Sequence, residues 1–327
     1  MRRREFIIAL GGAVVWPLPA LGQQAASRTL GVLNVGSLEE ARRNFDRARG
    51  RLAEMGYVEG RNLALQYRSA DGQEDRLAEL ADELVQRRVD AIVVFTGPSI
   101  VAAKAATTSI PIVFLTGYDP VANRFVASLS RPGGNVTGIS VLNTQVTAKR
   151  LQLLGELVPT AKSIGFLYSS TSLVAGYDRI LKEVRSAADA LGVKLLLVDT
   201  RGPDDFEGAF ATMESARSEA LLVSADALMV RNRETLVGLA AEHSIPAVYP
   251  LREFAVAGGL VSYGPDYAEA YRQVGDYLGR VLSGEKPENL PVQQVTKLEL
   301  VINMKTATSL GLTVPLSLLG RADEVIE

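Results

Sequence analysis

The stretch Val89-Asp90-Ala91-Ile92-Val93-Val94-Phe95-Thr96-Gly97-Pro98-Ser99 decides the fold. Five apolar residues in a row, several of them β-branched, follow a charged segment that reads as a helix. Such a run is a strand buried on both faces, as in a parallel sheet. It stops at Thr96-Gly97-Pro98-Ser99, and residues 100–107 then read as a helix. A Gly-Pro turn with two hydroxyls therefore sits where a strand ends and a helix begins. Open α/β sheets bind ligands at that edge, because free backbone N–H groups and the positive helix end point into the crevice.

The pattern recurs. Ser218-Glu219-Ala220-Leu221-Leu222-Val223-Ser224-Ala225-Asp226 is again a buried strand ending in short polar residues. Arg28-Thr29-Leu30-Gly31-Val32-Leu33 returns as Lys162-Ser163-Ile164-Gly165-Phe166-Leu167, and Ser109-Ile110-Pro111-Ile112-Val113 as Ser244-Ile245-Pro246-Ala247-Val248, at offsets of 134 and 135 positions. Ordered matches at near-constant offset, within βα alternation in both halves, predict two similar lobes.

The chain of 327 residues suits two domains, and 47% hydrophobic with 22% charged residues is a globular balance that can supply two cores. A net charge of −2 with both signs interspersed speaks against a nucleic-acid partner. With no cysteine, thiol catalysis, thiolate metal sites and disulfides are excluded. The one histidine, His243, ends a predicted helix, where a cation suits the helix C-terminus, and a conventional zinc site has no ligand set. No metal or cofactor is expected.

Residues 1–22 read as an export signal. Arg2-Arg3-Arg4 is a basic start, residues 6–20 are an apolar run broken by Gly and Pro, and Ala20-Leu21-Gly22 is a small-x-small cleavage pattern. Arg3-Arg4-Glu5-Phe6-Ile7 resembles a twin-arginine signal, with general secretory export and an uncleaved anchor helix as the other readings. No cysteine follows the run, so the mature end carries no lipid. A free periplasmic protein of net charge −4 is expected once Arg2 to Glu5 are removed.

Beyond the signal, strands are predicted at 30–35, 63–67, 112–115 and 136–140, the last as an edge strand. Helices are predicted at 39–55, 74–86 and, briefly, 125–129. The second half reads as helix 146–157, strand 164–168, helix 173–191, strand 194–198, helix 204–215, strand 220–224, helix 232–241 and strand 247–249. Segments 140–143, 260–264 and 290–296 read as crossings between lobes, and 267–282 as a long helix. One lobe is then 28–140 plus 264–288, and the other 141–263 plus 289–327.

With these motifs placed, the sequence resembles the ABC-transporter substrate-binding proteins of the type I periplasmic-binding fold, and within them the tryptophan and aromatic amino-acid binders. The resemblance rests on Asp119-Pro120, Ser130-Arg131-Pro132-Gly133-Gly134-Asn135-Val136-Thr137-Gly138, Arg252-Glu253-Phe254, Gly258-Gly259-Leu260-Val261-Ser262-Tyr263-Gly264, Leu290-Pro291-Val292-Gln293-Gln294 and Glu299-Leu300-Val301-Ile302-Asn303. It implies two Rossmann-like lobes joined by three crossing strands, with a small ligand caught between them. It also implies a monomer that hands an amino acid or related carboxylate to an inner-membrane permease, or presents it to a membrane receptor. Two departures fall at the expected cleft: Ser169-Ser170-Thr171-Ser172 replaces an Asn-Pro-rich turn, and Asp226 is followed by Ala227-Leu228-Met229-Val230 rather than Pro and aromatics.

Ser37, Thr96, Ser99 and Thr116 close first-lobe strands. With nearby N–H groups such as that of Gly97, they are placed to hold a ligand carboxylate or simply to cap helices. Asp226 closes the matching second-lobe strand and is read as the partner of a ligand ammonium, with helix capping as the other role. The resemblance supports the ammonium role. Asp119 before Pro120 is read as a cap. Tyr168, Tyr249 and Tyr263 end second-lobe strands or a crossing, either stacking on an apolar ligand or packing in the core. Arg252 and Glu253 are left without a role. A secreted α/β enzyme is the reading from another class; it lacks a G-x-S-x-G elbow, a G-x-G-x-x-G turn and a P-loop.

Overall fold

The computed structural model describes residues 27–141, 146–170 and 177–327. The predicted export signal and the segments 142–145 and 171–176 lie outside the described residues, and with them the second half of the first crossing and the predicted start of the helix at 173. In chain order the first elements are β1 (Arg28–Asn34), α1 (Leu38–Glu54), β2 (Leu63–Ser69), α2 (Leu77–Gln86), β3 (Ala91–Val94), α3 (Gly97–Ala106), β4 (Ile112–Thr116) and β5 (Val136–Val141). The second half runs α4 (Thr147–Leu157), β6 (Ser163–Tyr168), α5 (Tyr177–Leu191), β7 (Lys194–Asp199), α6 (Phe206–Ser215), β8 (Ala220–Val223), α7 (Ala227–Arg231), α8 (Arg233–Glu242), β9 (Ala247–Tyr249), α9 (Arg252–Val256) and β10 (Val261–Pro265). Then come α10 (Tyr267–Leu282), β11 (Gln293–Val295), β12 (Leu298–Asn303), α11 (Met304–Ser309), α12 (Leu316–Leu319) and β13 (Glu324–Ile326).

Two sheets form, with orders β11-β5-β4-β3-β1-β2 and β13-β12-β10-β9-β8-β6-β7. Within them β2-β1-β3-β4-β5 and β7-β6-β8-β9-β10 are the same arrangement, all parallel. The internal echo in the sequence is therefore a duplicated topology. β3 and β8 are buried along their whole length, as unbroken apolar runs require when helices cover both faces of a sheet. α1 follows the 3.6-residue period instead, burying Ala41, Phe45, Ala48 and Leu52 on one stripe.

Helix α10 belongs to the first lobe although it follows most of the second. It packs on α1 so closely that a Cβ on Gly275 would stand 2.5 Å from the carbonyl oxygen of Ala48. Only glycine permits that approach.

Several expectations are corrected. β5 is not an edge strand; it lies between β4 and β11 and is buried throughout. β11, read as part of the third crossing, pairs in parallel with β5, so 289–295 joins the first lobe. β10, read as the second crossing, is interior to the second sheet through Pro265. The described passages between lobes contract to Asp266 and to Thr296-Lys297. These two are stitched together: Asp266 donates its N–H to the Lys297 carbonyl at 3.1 Å and takes the Lys297 ammonium on Oδ2 at 2.9 Å. Residues 125–129 form turns rather than a helix, with Phe125 N–H bonded to Pro120 O and Ala127 N–H to Pro132 O. α9 and β13 were not anticipated; Arg252 fastens them together by a forked ion pair to Glu324.

Candidate functional site

The strand order 2-1-3-4-5 has its switch point between the first and third strands of each lobe, where loops leave in opposite directions and a crevice opens. In the first lobe the flanking ends are Val35-Gly36-Ser37 and Phe95-Thr96-Gly97-Pro98; in the second, Ser224-Ala225-Asp226 follows β8. All of them line one cavity of about 1100 Å³ between the lobes.

Ser37 caps the 17-residue α1, its Oγ accepting the Glu40 N–H at 3.2 Å. Thr96 caps the 10-residue α3: its Oγ1 accepts the Ser99 N–H at 3.4 Å and donates to Ser99 Oγ at 2.9 Å. Two helix N-termini, each the positive end of a dipole, therefore stand at the same wall.

Asp226 sits opposite, 6% exposed. Oδ1 accepts the Met229 N–H at 3.1 Å and caps α7; Oδ2 accepts the Ser169 N–H at 3.1 Å and a short hydrogen bond from Ser224 Oγ. Burial pushes this carboxyl above its ordinary value, against the pull of those hydrogen bonds. Tyr118, on the first lobe, lines the same cavity, and its hydroxyl is pushed up to about 12 by burial and by the charge of Asp226. The capping role considered for Asp226 is thus real, and its carboxylate is also part of the cavity wall.

Of the other expected site residues, Gly97 lines the cavity and the rest stand behind or beside it. Ser99 is fully buried beneath the α3 cap. Thr116 is 2% exposed and uses its Oγ1 to accept the Tyr118 N–H at 3.2 Å. Tyr249 is core: 1% exposed and stacked on Phe254 at 5.0 Å. Tyr168 stacks on Phe166 at 5.7 Å. Tyr263 contributes its carbonyl, which accepts from Arg150 Nε at 2.6 Å. The placement of these five outside the cavity wall corrects the expectation; a strand end points alternate side chains to opposite faces, so proximity in sequence to the edge does not put a side chain in the crevice.

The aromatic wall comes from residues the sequence reading passed over. Phe95 and Tyr271 lie 5.6 Å apart between ring centroids, and Tyr267 and Tyr271 6.2 Å apart. All three line the cavity with Tyr118. Phe95 and Tyr118 adjoin turns singled out in the sequence, so their signal was present. Tyr267 and Tyr271 stand one helical turn apart on α10, and only the return of that helix to the first lobe brings them here. Charges complete the walls: Asp71, Glu74 and Asp75 on the first lobe, Arg201, Arg231 and Arg233 on the second. Among the described residues, no group of three His, Cys, Asp or Glu is placed to hold a metal ion, and no helix is long and apolar enough to cross a membrane.

A family model described as ABC transporter substrate binding protein matches residues 33–326. A tyrosine-binding protein of Clostridioides difficile (strain R20291) is 27% identical over 276 residues, 84% of this chain and 78% of that protein. The ABC domain from Streptococcus pneumoniae solved in complex with L-Trp matches with a TM-score of 0.82 at 26% identity, over 92% of this chain and 100% of that one. A conserved domain protein from Vibrio cholerae matches with a TM-score of 0.81 at 28% identity, over 91% and 99%.

Proposed function

The chain belongs to the family of ABC transporter substrate-binding proteins, and from that membership we propose that it captures an aromatic amino acid between its lobes for delivery to a membrane permease. The observation that carries the reading is the meeting, in one interlobe cavity, of two capped helix N-termini, a buried carboxylate and an aromatic cluster. The α-carboxylate belongs at the N–H groups of α1 and α3, around Ser37, Thr96 and Gly97. The ammonium belongs by Asp226 and Tyr118. The side-chain ring belongs against Phe95, Tyr267 and Tyr271. The ligands named for the C. difficile and S. pneumoniae relatives, tyrosine and L-Trp, support this choice.

No bond is made or broken in this account. A ligand held on walls from both lobes is captured by their closure around it. A ligand drives closure by no more than its differential affinity for the closed state. We place the mature protein in the periplasm as a monomer, after removal of residues 1–22, which sets the captured solute on the permease side of the membrane.

A thermal-shift titration of the mature protein with L-Tyr, L-Trp and L-Phe, against aliphatic amino acids, tests the reading. A bound ligand at 100 times its Kd adds about 2.7 kcal/mol of stability. A shift with aromatic amino acids alone is the expected result; no shift with any amino acid overturns the proposal.

A further inference from the structure

Arg47 lies on α1 in the first lobe and Glu253 on α9 in the second. Their side chains meet across the gap, Arg47 Nη2 standing 3.4 Å from Glu253 Oε1. The same guanidinium lies over the ring of Tyr271, its Cζ 5.2 Å from the centroid. Tyr271 packs against Phe95 and Tyr267, and its hydroxyl donates to Asn44 Oδ1, also on α1, at 3.2 Å. Arg47, Glu253 and the three rings all line the interlobe cavity. One side chain therefore touches both the aromatic wall and a carboxylate of the opposite lobe.

We infer that Arg47 is a positioning residue that couples the occupant of the aromatic wall to closure of the lobes. The inference rests on the reading that the lobes trap a ligand whose ring lies on that wall. An exposed ion pair is by itself weak, because two long side chains must be ordered to make it; here the members are 48% and 38% exposed. Tyr271 removes part of that ordering by holding the guanidinium plane on its ring face. Tyr271, 5% exposed and bonded to Asn44, is already a fixed platform for the guanidinium. A flat ligand group packed beside it and Phe95 therefore acts on the clasp by displacing water from the half-exposed Arg47–Glu253 pair, which strengthens the attraction between the two charges. An aliphatic ligand covers less of that pair and leaves the clasp less populated. Specificity for rings is in this way reinforced by closure as well as by direct contact.

The chain has no cysteine, so two introduced ones report the interlobe distance cleanly. Gln86→Cys on α2 and Glu242→Cys on α8 are exposed and outside the cavity wall. Spin labels there, read by pulsed dipolar spectroscopy without ligand, give the open and closed populations. Arg47→Ala and Glu253→Gln are each expected to shift the ligand-free distribution toward the longer distance by roughly two- to fivefold in population, the range of an exposed pair. Salt at about 1 M does the same to the unmodified pair, whose Debye length then falls to roughly 3 Å. Arg47→Ala is also expected to narrow the ratio of L-Tyr to L-Leu affinity. The double variant Arg47→Glu with Glu253→Arg restores the distance but not the ratio, since a carboxylate does not sit over the face of Tyr271. Unchanged melting temperatures exclude a folding defect. An unchanged distance distribution in both single variants overturns the clasp, and an unchanged affinity ratio in Arg47→Ala overturns the coupling. Opening of Arg47→Ala in a protein that binds no aromatic amino acid supports the clasp while overturning the ligand reading.

Discussion

At the scale of single residues, Asp226 carries two demands on one carboxylate. Its oxygens cap α7 and hold Ser169, and they form the second-lobe wall of the cavity. Asp226→Asn keeps an acceptor for the Met229 N–H but turns its NH2 toward the buried Ser169 N–H. It is expected to weaken amino-acid binding about 10- to 100-fold, as loss of a charged hydrogen bond does, and to lower apo stability by about 1–3 kcal/mol for the donor left unpaired. Asp226→Ala is expected to lower apo stability as well, by about 0.5–2 kcal/mol for the lost cap. Calorimetric titration and urea melts of both variants separate the two roles. The pH dependence follows from the raised carboxyl. Between the unfolded value near 3.9 and the higher folded one, the native state retains a proton that the unfolded chain has released, so stability falls as pH rises through that window. Binding of an ammonium needs the ionised form, so affinity rises over the same window. An affinity that is flat across it, measured by titration at stepped pH, argues that the ligand does not meet this carboxylate. Arg150 is another ionisable group shifted by burial. It is fully buried, its guanidinium lowered to about 10 by burial, and it binds the carbonyls of Tyr263 and Pro250. It remains charged at neutral pH and fixes α4 to β10 and to the turn that follows β9.

At the scale of elements, α10 decides the cavity as much as any strand. It supplies Tyr267 and Tyr271, and its seat against α1 depends on Gly275. Gly275→Leu forces the two helices apart and is expected to destabilise the protein by about 1–3 kcal/mol, as overpacking does, measured by chemical denaturation. The start of α10 is set by Asp266, which accepts the Glu269 N–H at 3.1 Å and binds Lys297. Burial raises that carboxyl, but Lys297 and the Glu269 and Ala268 N–H groups outweigh it and hold it below the usual range. Its stabilising contribution is present above the ordinary Asp value and is lost as pH falls through the depressed one. Asp266→Asn is expected to remove that part of the acid-side slope of stability against pH, and Lys297→Ala most of it. Strands β3 and β8 and helices α1 and α2 were legible because a buried run and a 3.6-residue stripe are local patterns. β5 was misread as an edge because its second neighbour, β11, arrives from more than 150 residues away. β11 itself is short, with two exposed glutamines, and its pairing is invisible to periodicity.

At the scale of the whole molecule, the first-lobe wall sets Glu40, Asp71, Glu74 and Asp75 against Arg43 and Arg47, and the second-lobe wall sets Arg201, Arg231 and Arg233 against Asp226 and Glu253, so the two walls carry net charge of opposite sign. Small-angle scattering is expected to show a smaller radius of gyration on addition of L-Tyr or L-Trp, and a larger one for the ligand-free protein as salt rises, since screening weakens attraction between walls. A radius indifferent to both would contradict closure. The duplicated topology also makes the lobes structurally similar without making them equivalent. The first offers helix N-termini and rings, the second a carboxylate and arginines.

The amino-acid sequence determined the α/β class, the duplicated lobes and the places where strands end at a crevice, because burial on both faces, helical period and Gly-Pro turns are written within a few residues. It also named Ser37, Thr96, Gly97 and Asp226, which stand at those ends. Only the tertiary structure decided which side chains enter the cavity. The rings of Tyr267 and Tyr271 and the Arg47–Glu253 pair come from segments far apart in the chain, joined by a helix that returns to the first lobe and by two lobes facing each other. Tyr249, by contrast, lies at a strand end yet turns into the core, a matter of which face packs against α9. Local pattern sets where backbone polar groups are left free; packing over long sequence distances sets what surrounds them.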